Sequence, residues 1–197
     1  MARNLAWGKR RRLPPALAAI LLGLIGAGPS VRTSAGQDQS KKLPEYVVKA
    51  GFLYNFAKYV EWPADAFEKR EAPIVIGVVG ADPFGQDLDK TLKDKTAQDR
   101  PFAIQRFRDA AALQRCHILF VPKSEKARMA EILKKLDEWP TLTVGEEEGF
   151  AKAGGAVNIL IERERPRLEV NPDAAEKAKL TISAKLLKLA TIVKSEK

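Results

Sequence analysis

Cys116 and His117 are adjacent, and their residue types could form a nucleophile and its base. They stand at the head of the apolar segment HILFV, which is typical of a strand, and neighbouring side chains of a strand point to opposite faces of a sheet. A catalytic Cys–His pair is therefore not expected. As the single cysteine of the chain, Cys116 can form no internal disulfide, and we predict a buried, inert thiol.

The segment GADPFGQD at 80–87 has the glycine spacing of a phosphate-binding loop. Gln86 stands where that loop places its lysine, and no serine or threonine follows to hold a metal ion. A tight turn between a strand and a helix explains the glycines better. The paired carboxylates Asp87 and Asp89 are assigned to a solvated helix face. Since GxSxG, HExxH and CxxC spacings are also absent, we expect no catalytic residues, no cofactor and no metal site.

Apolar segments alternate with helical patterns, and these are the elements that must position any site. The apolar segments fall at 74–80, 102–107, 117–121 and 141–144, and the helical patterns at 85–92, near 110 and at about 125–136. This order is typical of parallel βαβ units whose strands are buried on both faces. Residues 156–170 indicate two strands joined by a charged turn, and one or two helices follow. We predict a single compact α/β domain over 44–197, with a mostly parallel sheet flanked by helices, a C-terminal β-hairpin and a closing helix.

The beginning of the chain has the pattern of a secretory leader. Basic residues at 3 and 9–12 precede an apolar stretch at 16–27, and the small-residue segment TSA ends at Ala35. We predict a signal peptide over 1–35, a linker over 36–43 and a periplasmic location. An uncleaved anchor is the alternative, although the apolar stretch is short for a membrane span of about 20 residues.

Charge argues against nucleic-acid binding. Six basic residues and no acidic residue precede position 36, so the leader supplies most of the formal net charge of +9. The remainder mixes basic and acidic residues and has no basic stripe interleaved with aromatic side chains. Nucleic acid is therefore not an expected partner.

Aromatic residues cluster in FLYNFAKYVEWP at 52–63. An amphipathic helix is predicted from Pro44 to Trp62, with most of the cluster on its apolar face. Tyr54 falls on the polar side, and exposed Tyr and Trp often anchor interfaces. Partly buried side chains without a partner are the alternative. We predict a partner-binding surface, called the docking surface below, that consists of Tyr54, Asn55, Lys58, Glu61 and Trp62.

A second candidate site is the crevice at the carboxyl ends of the strands, where open α/β sheets bind ligands. Its predicted lining is Gly80, Asp82, Ser124 and Asn158. This crevice gives the alternative function, a periplasmic receptor for a small ligand.

Five segments in one order resemble the YfiR family of YfiR/HmsC-like periplasmic regulators. They are YVVKAGFLYNFAKYVEWP, GVVGADPFG, CHILFVPKSE, TLTVGEEEGFAKAGGAVNILIERERPRLEVN and LTISAKLLKLATIV. The resemblance implies an α/β protein that binds and represses a membrane-bound diguanylate cyclase, or another sensor protein, through its periplasmic part. Cyclic-di-GMP signalling and biofilm output would fall, without catalysis by the regulator itself.

The resemblance also implies further partners and hallmark residues. An outer-membrane lipoprotein releases such regulators, and a homodimer is common. The hallmark helix falls on 52–63, and the family's glycine turn on Gly154 and Gly155. Better-known members use cysteine pairs for stability and redox response. Because this sequence keeps only Cys116, redox sensing is not expected here, and a bridge between two chains is the one disulfide left open.

Overall fold

The computed structural model describes residues 44–195, so the predicted signal peptide (1–35) and linker (36–43) lie outside the described residues. Helices and strands alternate along residues 44–195. The α-helices are α1 (Glu45–Tyr59), α2 (Asp87–Leu92), α3 (Met129–Lys135), α4 (Pro172–Lys177) and α5 (Ala184–Leu187). The strands are β1 (Val60–Glu61), β2 (Ile74–Val79), β3 (Thr96–Ala97), β4 (Arg100–Phe107), β5 (Ile118–Val121), β6 (Leu142–Gly145), β7 (Val157–Glu162), β8 (Arg165–Val170), β9 (Thr181–Ile182) and β10 (Thr191–Ile192). Short 3-10 helices lie at Ala64–Ala66, Ala110–Ala112 and Lys123–Arg128.

Eight of these strands form one sheet in the order β10-β8-β7-β6-β5-β2-β4-β3. Five neighbouring strands of this sheet, β4, β2, β5, β6 and β7, are parallel to one another. β8 returns antiparallel to β7 as the second strand of the predicted hairpin. The predicted fold class, a mostly parallel α/β sheet flanked by helices with a C-terminal hairpin, is confirmed. β1 and β9 form a separate antiparallel pair that the sequence did not predict.

The strand order contains a switch point. Counted along the chain from β2, the five parallel strands stand in the order 2-1-3-4-5, so the direction of winding reverses between β2 and β5. In sheets of this order, ligands usually bind outside the carboxyl ends of the two strands at the reversal. The loops after β2 and β5 are therefore the first place to look for a crevice.

Each face of the sheet packs against its own apolar layer. On one face, α1 buries Leu53 and Phe56 against sheet residues that include Phe120. On the other, Ile132 of α3 packs in a cluster with Leu119. All four residues of β5 are buried, which is the pattern of a central parallel strand covered on both sides.

Among residues 44–195, no helix combines the length and the apolar character needed to cross a membrane.

Candidate docking and ligand sites

Tyr54 is the aromatic residue of the predicted docking surface that lies on α1. It is half-buried on α1, and its ring centroid lies 5.8 Å from that of Phe102 in β4. The ammonium groups of Lys58 and Lys95 lie 5.4 and 4.9 Å from the ring centroid, within the range of cation–π attraction. Asn55, like Lys58, is exposed beside it. The surface around Tyr54 is therefore an aromatic ring with two positive charges at its sides.

Trp62 does not belong to this surface, and its predicted exposure is wrong. Helix α1 ends at Tyr59, and the chain continues as β1, so Trp62 lies beyond a strand and not at a helix end. Its side chain packs in the core and is 9 % exposed. The indole Nε1 donates a hydrogen bond to the backbone oxygen of His117 over 3.1 Å. Glu61 remains exposed on β1.

His117 joins the segment after α1 to the sheet. Its Nδ1 accepts a hydrogen bond from the backbone N–H of Val75 over 2.9 Å, so the proton lies on Nε2, which donates to the backbone oxygen of Ala66 over 3.1 Å. The ring stacks on Phe67 at 4.3 Å between centroids. Burial is the main reason that the pKa of His117 is lowered from its usual 6.5; the hydrogen bond to Ala66 opposes this shift, and the charge of Arg100 adds to it.

We expect this histidine to make the folded state sensitive to mild acid. Because the unfolded chain takes up a proton near pH 6.5 and the folded chain only at lower pH, the free energy of unfolding should fall as the pH drops below about 6.5. Urea midpoints at about pH 7.5 and pH 5.5 measure the effect. The pH dependence should shrink in His117→Gln, since His117 is the only histidine. An equal dependence in both proteins would contradict the prediction.

Cys116 lies on the opposite side of the strand from His117. It packs in the apolar layer that contains α3, whereas the ring of His117 faces Trp62 in the layer that contains α1. The predicted absence of a Cys–His pair agrees with this geometry. Burial raises the pKa of the Cys116 thiol to about 12, so the thiol is protonated and unreactive at neutral pH.

The crevice at the switch point is filled by a residue that the sequence analysis did not select. Glu125, on the 3-10 helix after β5, places its side chain against Gly80, in the space where any other residue would have its Cβ. Gly80 also has a φ of +76°, which favours glycine. Glu125 is 3 % exposed, and its Oε1 accepts a hydrogen bond from Arg128 over 2.8 Å. The side chain of Glu125 therefore fills the space beside Gly80 at the switch point.

The four residues predicted to line that crevice do not form one site. Asp82 accepts hydrogen bonds from the backbone of Phe84 and from Arg106, and so closes a turn. Ser124 is exposed. Asn158 is fully buried in β7, three strands away from Gly80, or about 14 Å at the usual strand spacing. The four positions therefore do not converge on one crevice.

A buried ion pair that the sequence does not predict joins α1 to the carboxyl end of β6. Lys49 is 2 % exposed, and its Nζ contacts Glu146 at 2.5 Å and also pairs with Glu45. Glu146 accepts further hydrogen bonds from the backbone N–H of Lys123 over 2.9 Å and from the hydroxyl of Tyr46 over 3.4 Å. Burial and the charge of Glu146 raise the pKa of Tyr46 to about 12, so this hydroxyl stays protonated and can donate.

The only sequence signal for this cluster is the Glu45–Lys49 spacing of four, which is common on solvated helices. Residues 44–195 contain no group of three histidine, cysteine, aspartate or glutamate side chains that could hold a metal ion.

Comparisons with known proteins agree with this fold. The model of the YfiR/HmsC-like family matches residues 46–191. None of the curated proteins matches the chain. A crystal structure of a conserved domain protein from Vibrio cholerae O1 biovar El Tor is similar, with a TM-score of 0.56 and 13 % sequence identity, and the match covers 78 % of this chain and 61 % of that one. At this identity the likeness shows the fold alone. Because the family match covers most of its length, this chain belongs to the YfiR/HmsC-like family.

Proposed function

We propose that this chain is a periplasmic, non-enzymatic regulator that binds and represses a membrane-bound diguanylate cyclase or another membrane sensor protein. Membership of a regulatory family over residues 46–191 is the observation that supports the proposal. The regulator lowers cyclic-di-GMP signalling and biofilm output by docking on the periplasmic part of its partner. Docking needs to favour the partner's inactive state by only a few kcal/mol of differential affinity.

The docking surface of this proposal consists of Tyr54, Asn55 and Lys58 on α1 and of Glu61 on β1, without Trp62. Two lysines beside the Tyr54 ring make an acidic partner surface the complementary one. The proposal keeps two further parts that the family resemblance implies: release by an outer-membrane lipoprotein, and a homodimeric form.

Cyclic-di-GMP measurements in the source bacterium test the repression. Deletion of the gene is expected to raise the intracellular level of cyclic-di-GMP, and the full chain should restore it. A version without residues 1–35 should stay inside the cell and fail to restore it, because docking takes place in the periplasm. An unchanged level after deletion would contradict the cyclase proposal, and restoration by the truncated version would contradict the periplasmic location.

Tyr54→Ala is expected to weaken docking without unfolding the protein. An aromatic anchor of about 2 kcal/mol corresponds to a loss of about 30-fold in affinity for the partner's periplasmic part. In the deletion strain this variant should reach wild-type abundance and still leave cyclic-di-GMP high. Lys90→Ala, at an exposed position on α2, is the control and should restore repression. Full repression by Tyr54→Ala would remove Tyr54 from the docking surface.

A further inference from the structure

A cavity of about 450 Å³ opens at the amino ends of β2 and β5, at the opposite end of the sheet from the filled switch point. Its lining includes Phe67, Val75, Gln105, His117 and Trp139. Cavities of about 300–1,000 Å³ are the usual size of small-molecule sites. We call this space the amino-end cavity.

The walls of the amino-end cavity combine three rings with small and uncharged polar residues. The ring of His117 stacks on Phe67, and Trp139 contributes a third ring to the lining. His117 is neutral at pH 7, because burial lowers its pKa, and the neighbouring Cys116 is a neutral thiol. The charged lining residues Asp65, Glu68 and Arg115 are exposed and so belong to the rim. The guanidinium of Arg100 also lies 3.7 Å from the ring centroid of Phe67, and with it these charges sum to zero, so the site has no net charge that would favour an ion.

Gln105 supplies an unsatisfied polar atom. Its Oε1 is buried and has no hydrogen-bond partner among the described residues. Gly77, which faces Gln105 across the β2–β4 pair, has no side chain that could donate to it. An acceptor left in this state costs about 1–3 kcal/mol, so a donor on a bound molecule would recover stability if the amide turned towards it.

We propose that the amino-end cavity binds a small uncharged molecule that has a flat apolar body and a hydrogen-bond donor. The flat body packs against the ring of Trp139 and the edge of the Phe67–His117 stack, since Arg100 covers the other face of Phe67, and the donor bonds to the side-chain oxygen of Gln105. This site does not depend on the proposed repression and lies apart from Tyr54, so the two proposals can fail separately.

Benzamide is the probe for this site, because it is flat, neutral and carries an amide N–H donor. Titration of the purified full chain, followed by saturation-transfer NMR and by tryptophan fluorescence, is expected to show saturable binding. Benzoate has nearly the same shape with a charge and no donor, and it should bind at least about tenfold more weakly.

Two variants and a control decide where the probe binds. Gln105→Leu keeps a similar side-chain volume but removes the acceptor. The affinity for benzamide should fall at least about tenfold, and the urea midpoint should be unchanged or raised. Ala66→Leu narrows the cavity and should also lower the affinity for benzamide. Gln86→Leu, at an exposed position outside the cavity, should bind as the wild type does. Absence of saturable benzamide binding, or equal binding by wild type, Gln105→Leu and Ala66→Leu, would overturn the proposal.

Discussion

Lys49→Met is expected to lower the free energy of unfolding by about 3–5 kcal/mol, because it leaves the carboxylate of Glu146 buried without its counter-ion. The side chain of Glu146 is 1 % exposed, so its carboxylate is largely shielded from water. The remaining donors, the N–H of Lys123 and the hydroxyl of Tyr46, carry no formal charge. Urea unfolding measures the loss.

Two further variants separate charge from packing in this experiment. Lys58→Met makes the same change at an exposed position of the same helix and should alter the stability by less than about 0.5 kcal/mol. Lys49→Met combined with Glu146→Leu removes both charges and should recover much of the loss, since paired removal leaves no buried ion. If Lys49→Met is no more destabilising than Lys58→Met, the ion pair does not contribute as the structure indicates.

Gly155→Ala is expected to destabilise the protein by about 3 kcal/mol through overpacking. The ring of Phe150 lies against both Gly145 and Gly155, and a Cβ at either glycine would overlap the ring carbons. Because Phe150 is 1 % exposed and held on both sides, its ring has no free space into which to move. Urea unfolding again gives the change in free energy.

A smaller residue at position 150 should relieve this overlap. In a Phe150→Leu background, Gly155→Ala should cost at least about 1 kcal/mol less than in the wild type, which a double-mutant cycle measures. Gly51→Ala is the matched control, because no atom lies within 4 Å of the added Cβ. In the middle of α1 it should stabilise the protein by about 0.5–1 kcal/mol. Additive effects at 150 and 155 would show that the ring does not cause the loss.

The regular part of the fold could be predicted because its signals are local. Buried strands such as β2 and β5 are continuous apolar segments, whereas the helical pattern of α2 buries Leu88 and Leu92, which are four positions apart. The strands β1, β3, β9 and β10 have two residues each, which is too short for any alternation to appear. Their pairing depends on tertiary contacts.

The site residues were harder to predict because burial of polar groups depends on distant partners. Lys49 counts as polar in any hydrophobicity pattern, and Glu146, which allows its burial, lies 97 positions later. Glu125 is buried against a glycine of another loop. Trp62 was placed at a helix end because Pro63 was the nearest stop signal, whereas the helix ends three residues earlier and the strand pairing with β9 directs the chain into the core.

The hairpin edge of the sheet has a consequence for self-association. β10 pairs only with Glu169 and Val170 of β8, and the four remaining residues begin with Arg165, Pro166 and Arg167. Proline offers no N–H to an incoming strand, and Arg165 repels the same residue of a second molecule, whereas Arg167 is paired with Glu162 and Glu169. This edge therefore resists strand-by-strand polymerisation in concentrated protein, and a homodimer would have to form through another surface.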